Sequence, residues 1–479
     1  MQLSQTVLLL CLTLAASSCA AQPDFLLHAT PASPAAPDPA IARVLATIQP
    51  AHMEQTIQTL VGFGTRSTLS SMETDLGPGQ GINAATDWIA GQFEQISRQC
   101  GGCLQVHRDV FIADSSSSWG GRIPRPTRIT NVYAVLPGAD PVQAKRIYLV
   151  TGHYDSRDSS NFDARGAAPG ANDDASGVAV SLECARALSK LHFPATLVFV
   201  AVAGEEQGLV GSAHLAQLAH DQGWQLEAVL NNDIVGGNTT PGDTLQLKDR
   251  VRVFSEGIPE TATPAEIRRI RALGKEDDSS SRELARAIAD TARNYFPARE
   301  SKAFSAFLVA RPDRYLRGGD HESFNQQGFA AVRFTEWRED YNHEHQNVVI
   351  PPAGSAAPIL GDLPRFVDYD YVAKVARLNA AALATLASAP GEPAKVALEN
   401  ENLENGATLR WEPPAGAGVA HYEVLWRETT APDWQFARTV DPPAAGAPVT
   451  VTLPISKDNV IFGVRAVDAS GHRGLVVVP

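Results

Sequence analysis

The chain has little of what marks several classes of protein. Only five of its 479 residues are cysteine, three are methionine and 19% are charged. Beyond the N-terminus, no run approaches the roughly 18 apolar residues that a transmembrane helix needs. Acidic residues outnumber basic ones by 53 to 40 without any basic cluster, which argues against nucleic-acid binding. With 44% hydrophobic residues, the chain can bury large cores, and its length suggests about three domains.

The N-terminus carries an apolar segment that indicates export. The stretch that begins at Val7 is too short to span a membrane, and a small-x-small pattern allows cleavage after Ala21. The sequence ASSC, which ends at Cys19, also resembles a bacterial lipoprotein box, so a lipid anchor at that cysteine is the alternative to soluble export. We expect a signal peptide over 1–21, a periplasmic or secreted location, and a Pro/Ala-rich linker over 22–40.

The other three cysteines predict one local disulfide and one buried thiol. Cys100 and Cys103 form a CGGC motif, but the second pair that a zinc ribbon needs is missing from the sequence. A thioredoxin-type redox site would need a different strand and helix context. In an oxidising compartment a local structural disulfide is favoured. Cys184 lies among apolar residues of a predicted helix and is expected to be a buried small hydrophobe.

Polar side chains follow three strand-like runs at the point where each run ends. The first run, RIYLVTGHYD, places His153 and Asp155 two residues apart, so both share one face of an extended chain. The next two runs are followed by Glu205 and Glu206, and by Asp233. In open α/β sheets the ligand crevice lies at the carboxyl ends of the strands, so we expect these side chains to meet. Of two adjacent glutamates, one can hold a metal while its neighbour takes a proton from water.

Two further segments add candidate ligands to this cluster. The turn GANDDASG holds Asp173 and Asp174 before a helix predicted over 176–191. A fourth strand-like run, FAAVRFTEW, is followed by the segment DYNHEHQN, which offers His343 and His345. Imidazoles and carboxylates without a thiolate suit zinc, manganese or cobalt in an open catalytic site. The excess of carboxylates suggests two ions about 3.5–4 Å apart with one carboxylate shared between them. Asp173 is the natural bridge because its motif is central in the order.

The order HYD, NDDASG, GEEQG, NND and a late histidine before QN resembles the di-zinc aminopeptidase family, typified by secreted bacterial leucyl-type aminopeptidases. The similarity covers roughly residues 45–386. It implies a three-layer α/β/α sandwich with a mixed, mostly parallel central sheet. It also implies two Zn²⁺ per chain and hydrolysis of N-terminal residues from a peptide substrate.

The resemblance implies a role for each motif residue. One zinc would be held by His153, Asp173 and Asp233, and the other by Asp173, Glu206 and His345. Glu205 would be the general base. Asp155 would lie behind the imidazole of His153 and fix its tautomer.

Three further details follow from the resemblance. The peptide bond between Asp173 and Asp174 is expected to be cis. His345 is preferred to His343 as the last ligand because the following QN pair lies where the family places Thr and Asp. His321, in GGDHESF, is expected on the substrate side of the pocket, with a hydrogen-bonded structural histidine as the alternative.

Three alternative functions stay open at this point. Glutaminyl cyclases share the implied fold but use one zinc. A carboxypeptidase of the same superfamily would need a basic pocket, for which Arg311, Arg314 and Arg317 are a faint signal beside the more common surface ion pair. A non-enzymatic binding module is disfavoured because both glutamates and every metal position are present.

Patterning divides the chain into a catalytic region over 41–387 and a C-terminal region over 395–479, joined by a linker over 388–394. Helical patterns cover Ile41–Leu60 and Ala84–Gln99, and a polar insertion over 236–281 is expected to shape the pocket rim. The C-terminal region shows six short strand-like runs and resembles a fibronectin type III domain, with Trp411 and Tyr422 as its aromatic markers. We expect an all-β sandwich there.

Overall fold

Buried aliphatic runs form an eight-stranded sheet, and two three-stranded sheets follow it in the chain. The structure is a computed structural model that describes residues 22–298, 303–315, 317–401, 404–416, 418–443 and 446–479. The predicted signal peptide and the candidate lipid anchor at Cys19 lie outside these residues. A search of the described helices finds none that is long and apolar enough to cross a membrane.

The central sheet has the order β1-β2-β4-β3-β5-β8-β6-β7. Its strands are β1 Gln105–Ala113, β2 Thr127–Leu136, β3 Arg146–His153, β4 Thr196–Val202, β5 Gln225–Asn232, β6 Arg250–Ser255, β7 Ser305–Val309 and β8 Ala331–Thr335. Four of the seven pairings are parallel, including the consecutive neighbours β4, β3, β5 and β8. Every residue of β4 and β8 is buried, as expected for strands covered on both faces.

Helices cover both faces of this sheet. The α-helices among the described residues are α1 Asp24–Leu27, α2 Pro39–Leu45, α3 Pro50–Gly62, α4 Ile82–Gln99, α5 Ala175–Leu188, α6 Val210–Asp221, α7 Pro264–Leu273, α8 Ser280–Tyr295, α9 Asp320–Asn325 and α10 Tyr369–Ser388. The larger core packs α3, α4, α5, α8 and α10 on one face. A second core packs α6 and α9 on the other face through Leu215 and Phe324. The predicted three-layer α/β/α architecture is confirmed.

One predicted helix is divided in two. The pattern over Ile41–Leu60 suggested a single helix, whereas α2 ends at Leu45 and α3 begins at Pro50. Proline has no N–H to donate and fits the first turn of a helix, where that donor has no partner. Apolar periodicity alone did not show the break, because Ile48 between the two helices is also buried.

The polar segment over 236–281 belongs in part to the sheet. It contains β6, which pairs with β7 and β8 and buries Val251 and Val253 completely. It also contains α7, none of whose residues is buried. A capping box between Thr263 and Glu266 begins that helix. The segment is therefore a sheet strand followed by a surface helix rather than one long insertion.

The C-terminal region forms the expected all-β sandwich. Its strands are β9 Ala394–Leu398, β10 Ala407–Glu412, β11 His421–Glu428, β12 Phe436–Val440, β13 Val449–Leu453 and β14 Val460–Val467. They form two antiparallel sheets with the orders β13-β10-β9 and β12-β11-β14. Trp411, Tyr422 and Trp426 fill the space between the sheets and are at most 1% exposed. The six strands correspond to the six runs in the sequence.

The segment over 22–40 is not a free linker. Phe25 packs against the sandwich core, and the indole of Trp426 donates to its carbonyl at 3.1 Å. Backbone hydrogen bonds continue the contact along β12, where the amide of Ala437 donates to Thr30 at 2.9 Å. The Pro/Ala composition suggested only an extended linker. The apolar residues at its start instead pack on the sandwich at its edge strand β12.

The sandwich is fixed to α8 by charged and aromatic side chains. The indole of Trp434 donates to Glu283 at 2.9 Å, and Arg427 binds Asp278, both of whose side chains are at most 3% exposed. The segment over 388–394 is also packed, since its Ala389 is fully buried. Elsewhere, the expected disulfide joins Cys100 to Cys103, and Cys184 is buried.

We expect Asp278→Asn to destabilise the protein by about 3–5 kcal/mol, because it leaves the buried guanidinium of Arg427 without its countercharge. Asp433→Asn is the matched control, since its ion pair with Arg293 crosses the same interface but is more than 40% exposed. That control should cost less than about 1 kcal/mol. Urea denaturation of both variants measures the difference. Equal small losses would show that the buried pair does not hold the interface.

Candidate metal centre

The carboxyl ends of β3, β4 and β5 bring the sequence-predicted residues together. His153 is the last residue of β3, Asp233 follows β5 directly, and Glu205 and Glu206 follow β4 after a short turn. These three strands are parallel neighbours, so their ends meet at one edge of the sheet. Asp173 lies in the turn before α5, and its peptide bond to Asp174 is cis, as the resemblance implied.

Asp173 faces two histidines with its two oxygens. Its Oδ1 lies 3.1 Å from Nε2 of His153, and its Oδ2 lies 2.8 Å from Nε2 of His345. Asp233 completes the first set, with its Oδ1 3.7 Å from the same nitrogen of His153. Glu206 completes the second set, with its Oε1 3.1 Å from Nε2 of His345. The arrangement is that of two three-residue sets sharing one carboxylate.

A further carboxylate joins the second set. One carboxylate oxygen of Glu344 and one ligand atom each of Asp173 and His345 all lie within 4.8 Å of one another. Its carboxylate is also bound by Arg317. Glu344 was not predicted from the sequence, because it stands between two histidines and histidine is the more common metal ligand.

The two candidate last histidines occupy different places. His343 stacks on Phe366 with 3.5 Å between ring centroids, and its Nδ1 lies 3.2 Å from the hydroxyl of Thr240. His345 instead points its Nε2 at Asp173. The preference for His345 therefore agrees with the geometry.

Asp155 contacts His153, as expected, and also the turn that carries Glu205 and Glu206. Its carboxylate lies 3.5 Å from Nδ1 of His153, while its backbone carbonyl is closer, at 3.1 Å. The same carboxylate accepts the backbone N–H groups of Glu205 at 3.3 Å and Glu206 at 3.1 Å. The hydroxyl of Thr68 also donates to it at 2.9 Å. Asp155 thus holds the turn that carries both glutamates.

The donor set fits zinc. Nε2 of His153 and Oε1 of Glu206 are buried, and neither has a hydrogen-bond partner among the described residues. Although burial opposes it, the carboxylates Asp155, Asp173 and Asp233 hold the pKa of His153 well above its usual range. The pKa of His345 is raised in the same way by Glu206 and Asp173. The carboxylates therefore stabilise positive charge beside Nε2 of His153 and Nε2 of His345. A divalent cation bound by these nitrogen and oxygen atoms supplies that charge.

Three charged residues that the sequence did not reveal support the ligands. Asp362 accepts the backbone N–H of Asp173 at 2.7 Å, and burial raises the pKa of its carboxyl to about 8. Arg333, fully buried on β8, binds Asp233 at 2.9 Å. Arg157 donates to Glu206 at 2.7 Å. None of the three lies in a motif, so only the folded chain shows their role.

A cavity of about 810 Å³ opens beside the two sets. Glu205 lines it without belonging to either set, and burial together with Asp233, Glu206 and Asp320 raises the pKa of its carboxyl well above the usual value. Asp320 is fully buried, and burial raises the pKa of its carboxyl to about 7. The pair DH in GGDHESF could have pointed to Asp320, whereas sequence analysis selected the histidine beside it.

Unusual backbone conformations collect around this cavity. Among the described residues, four that are not glycine have a positive φ, and three of them line the cavity: Leu209 at 62°, Ile234 at 60° and His345 at 51°. Such conformations cost about 1–3 kcal/mol each for ordinary residues and cluster at functional sites.

The expectation that His321 faces the substrate is not met. Its side chain is fully buried, and Nε2 lies 2.9 Å from the carbonyl of Pro312. It forms a group with Asp313 and Glu322 whose ligand atoms span 4.8 Å. That group does not suit a cation, because Arg333 at 3.1 Å already neutralises Asp313. His321 is a hydrogen-bonded structural histidine, the alternative that the sequence left open.

The arginines before GGDHESF are also engaged. Arg314 binds Asp313 and Glu339, and Arg317 binds Glu339 and Glu344. Arg122, from the loop between β1 and β2, lines the same cavity and donates to the carbonyl of Glu206 at 3.1 Å.

Comparison with known proteins places the chain in a family. Residues 131–350 match the model of peptidase family M28, and this stretch contains all the predicted ligands. A probable zinc metalloprotease of Pyricularia oryzae is 44% identical over 454 residues, which cover 92% of this chain and 85% of that protein. A probable zinc metalloprotease of Pyrenophora teres f. teres is 39% identical and covers 93% and 88%. The chain belongs to peptidase family M28 and is a zinc metallopeptidase. These relatives are fungal, whereas the sequence resemblance pointed to bacterial enzymes.

Solved structures show weaker similarity. The LapA aminopeptidase of Legionella pneumophila aligns with a TM-score of 0.47 at 20% identity and covers 73% of each chain. The glutaminyl cyclase of Fimbriiglobus ruber aligns with a TM-score of 0.45 at 18% identity, covering 74% of this chain and 99% of that one.

Proposed function

We propose that this zinc peptidase is an exported aminopeptidase that binds two Zn²⁺ per chain. The first ion is held by His153, Asp173 and Asp233, and the second by Asp173, Glu206 and His345. The observation that carries the proposal is the position of Asp173, whose two oxygens face different histidines at 3.1 and 2.8 Å. One carboxylate shared between two ions is the arrangement used for hydrolysis by paired metals.

In the proposed mechanism, Glu205 is the general base. When bound, zinc supplies Lewis-acid activation of a water molecule and of the substrate carbonyl. Glu205 takes the proton of the attacking water at its carboxylate and later delivers it to the leaving amine. Its raised pKa favours this exchange, because the carboxylate then binds a proton more readily than an ordinary glutamate does. Asp155 keeps Glu205 in place through the backbone N–H at 3.3 Å.

The remaining assignments extend this proposal along the chain. Residues 1–21 are the signal peptide, 41–387 the catalytic domain and 395–479 a fibronectin type III-like domain. The buried packing of the sandwich on α8 supports a role in stabilising the catalytic domain rather than one as a separate module.

A second candidate function is a carboxypeptidase. Arg122 favours it, because no carboxylate lies within 4.0 Å of its guanidinium among the described residues, unlike Arg157, Arg314 and Arg317 in the same cavity. Such a cation can bind a C-terminal carboxylate. The aminopeptidase is preferred because Arg122 bears only on how a substrate is bound, whereas the two ligand sets bear on the hydrolysis itself.

Chelation is expected to abolish hydrolysis of leucine p-nitroanilide, and zinc should restore it. Metal analysis of protein lacking residues 1–21 should find about two zinc ions per chain, as the shared carboxylate predicts. N-terminal glutaminyl and C-terminal glutamyl peptides belong in the same assay. One tightly held zinc with cyclisation of glutaminyl peptides would favour the cyclase. Release of only C-terminal residues, lost in Arg122→Gln, would favour the carboxypeptidase.

A further inference from the structure

One acidic side chain in the cavity has no role in the proposed chemistry. Glu322 lies in the first turn of α9 and lines the cavity with its half-buried carboxylate. Among the described residues, no basic nitrogen lies within 4.0 Å of its oxygens. The imidazole of His321 lies within 4.8 Å, and burial lowers its pKa, which disfavours its charged form. Glu322 therefore presents a carboxyl group without an ion-pair partner to whatever enters the cavity.

Helix capping does not account for this carboxylate. An acid in the first turn can stabilise a helix by accepting backbone N–H groups or by facing the helix dipole. No backbone N–H of the described chain donates to the side chain of Glu322, and the N-cap of α9 is Gly319. Burial, with Asp313 and Glu260 nearby, raises the pKa of Glu322 to about 7, which is opposite to the effect of a cap. A partly buried acid without a partner is typical of a binding site.

The surroundings of Glu322 fit a long side chain with a charged end. Leu209 and Ala213 supply an aliphatic wall of the cavity from α6 and its first turn. A hydrogen bond of 2.9 Å between the hydroxyls of Ser212 and Ser323 joins α6 to α9, so this wall stands beside the carboxylate. A lysine or arginine stem packs well on such apolar surface while its charged head meets an acid.

Gly318 leaves the space that the carboxylate occupies. A Cβ atom on this residue would lie 2.5 Å from Oε2 of Glu322. Any larger residue would push the carboxylate out of its place against the backbone. The absence of a side chain at Gly318 thus allows the carboxylate of Glu322 to occupy this position in the cavity.

We propose that Glu322 is a specificity-determining residue that binds the basic side chain of an N-terminal lysine or arginine. The inference rests on the proposed aminopeptidase function and names its substrate class. Four arginines line the same cavity. Arg157, Arg314 and Arg317 already bind carboxylates, and Arg122 is held by the backbone carbonyl of Glu206.

The test compares kcat/KM for lysine and norleucine p-nitroanilides, which share a straight chain and differ in the terminal ammonium group. The wild-type protein should prefer lysine, and Glu322→Gln should lower the lysine-to-norleucine ratio by about 10- to 100-fold, as expected for a lost charged hydrogen bond. Glu322→Asp should retain the preference but favour arginine, whose head reaches further. Glu256→Gln is the matched control, because Glu256 is a buried acid whose pKa is also raised but which lies outside this cavity.

Two results would overturn the inference alone. One is an unchanged ratio in Glu322→Gln. The other is an equal loss for both substrates, which would make Glu322 an anchor for the α-amine. Calorimetric titration with lysine and norleucine hydroxamates gives the same comparison without turnover. If the zinc-loaded wild type hydrolysed no aminoacyl anilide at all, the proposed function would fail, and this inference with it.

Discussion

Glu205→Gln is expected to lower kcat by about 10²- to 10⁴-fold, the usual contribution of a general base, while both zinc ions stay bound. Glutamine keeps the size of the side chain but cannot take a proton from water. Glu205 lies in neither set of candidate ligands, and its backbone is held by Asp155, so the substitution leaves the ligand positions unchanged. Steady-state kinetics and metal analysis on the same preparation measure both parts of the prediction.

Glu206→Gln supplies the contrast to this variant. The side chain of Glu206 faces His345 at 3.1 Å and is expected to be a ligand, so its substitution should release zinc from the second position. If Glu205→Gln lost metal as well, or kept full activity, the roles assigned to the two adjacent glutamates would be wrong.

The second large effect is expected for Asp173→Asn, which should weaken binding of both zinc ions and abolish activity. Loss of a supporting partner alone typically costs 10- to 100-fold in metal affinity, so removal of a shared ligand should cost at least about 100-fold at each position. Competition with a chromophoric chelator measures the two affinities separately.

The matched control is Asp163→Asn, in the same loop between β3 and α5. Asp163 is exposed, and its carboxylate accepts the neighbouring backbone N–H groups of Arg165 and Gly166 at 2.8 Å. Its variant should bind zinc as the wild type does. If Asp173→Asn lost one ion and kept the other at full affinity, the shared-carboxylate arrangement would be excluded.

The sequence predicted most of the fold and the main side chains of the site for one physical reason. Parallel strands end at a common edge, so residues that follow them, such as His153 and Asp233, must meet. The local sequence was enough to predict these positions, because the end of each apolar run marks the end of its strand.

What the sequence did not show depends on contacts between distant segments. Asp362 and Arg333 act on ligands that lie 189 and 100 residues away in the chain. The burial of His321 could not be inferred either, because its neighbours come from loops without a pattern of their own. The break before Pro50 was missed because apolar spacing continues across it.

The placement of the ligands has a consequence for how the enzyme matures. In the proposed arrangement, Asp173 is shared between one imidazole at the end of β3 and another that lies 172 residues further along the chain, at His345. No short stretch of the nascent polypeptide holds a complete set, and pairing of such distant segments is a late event in folding. Zinc cannot act as a template for the first steps, as it does in small zinc-dependent domains. The chain must therefore close its sheet before zinc can meet a complete set of these side chains.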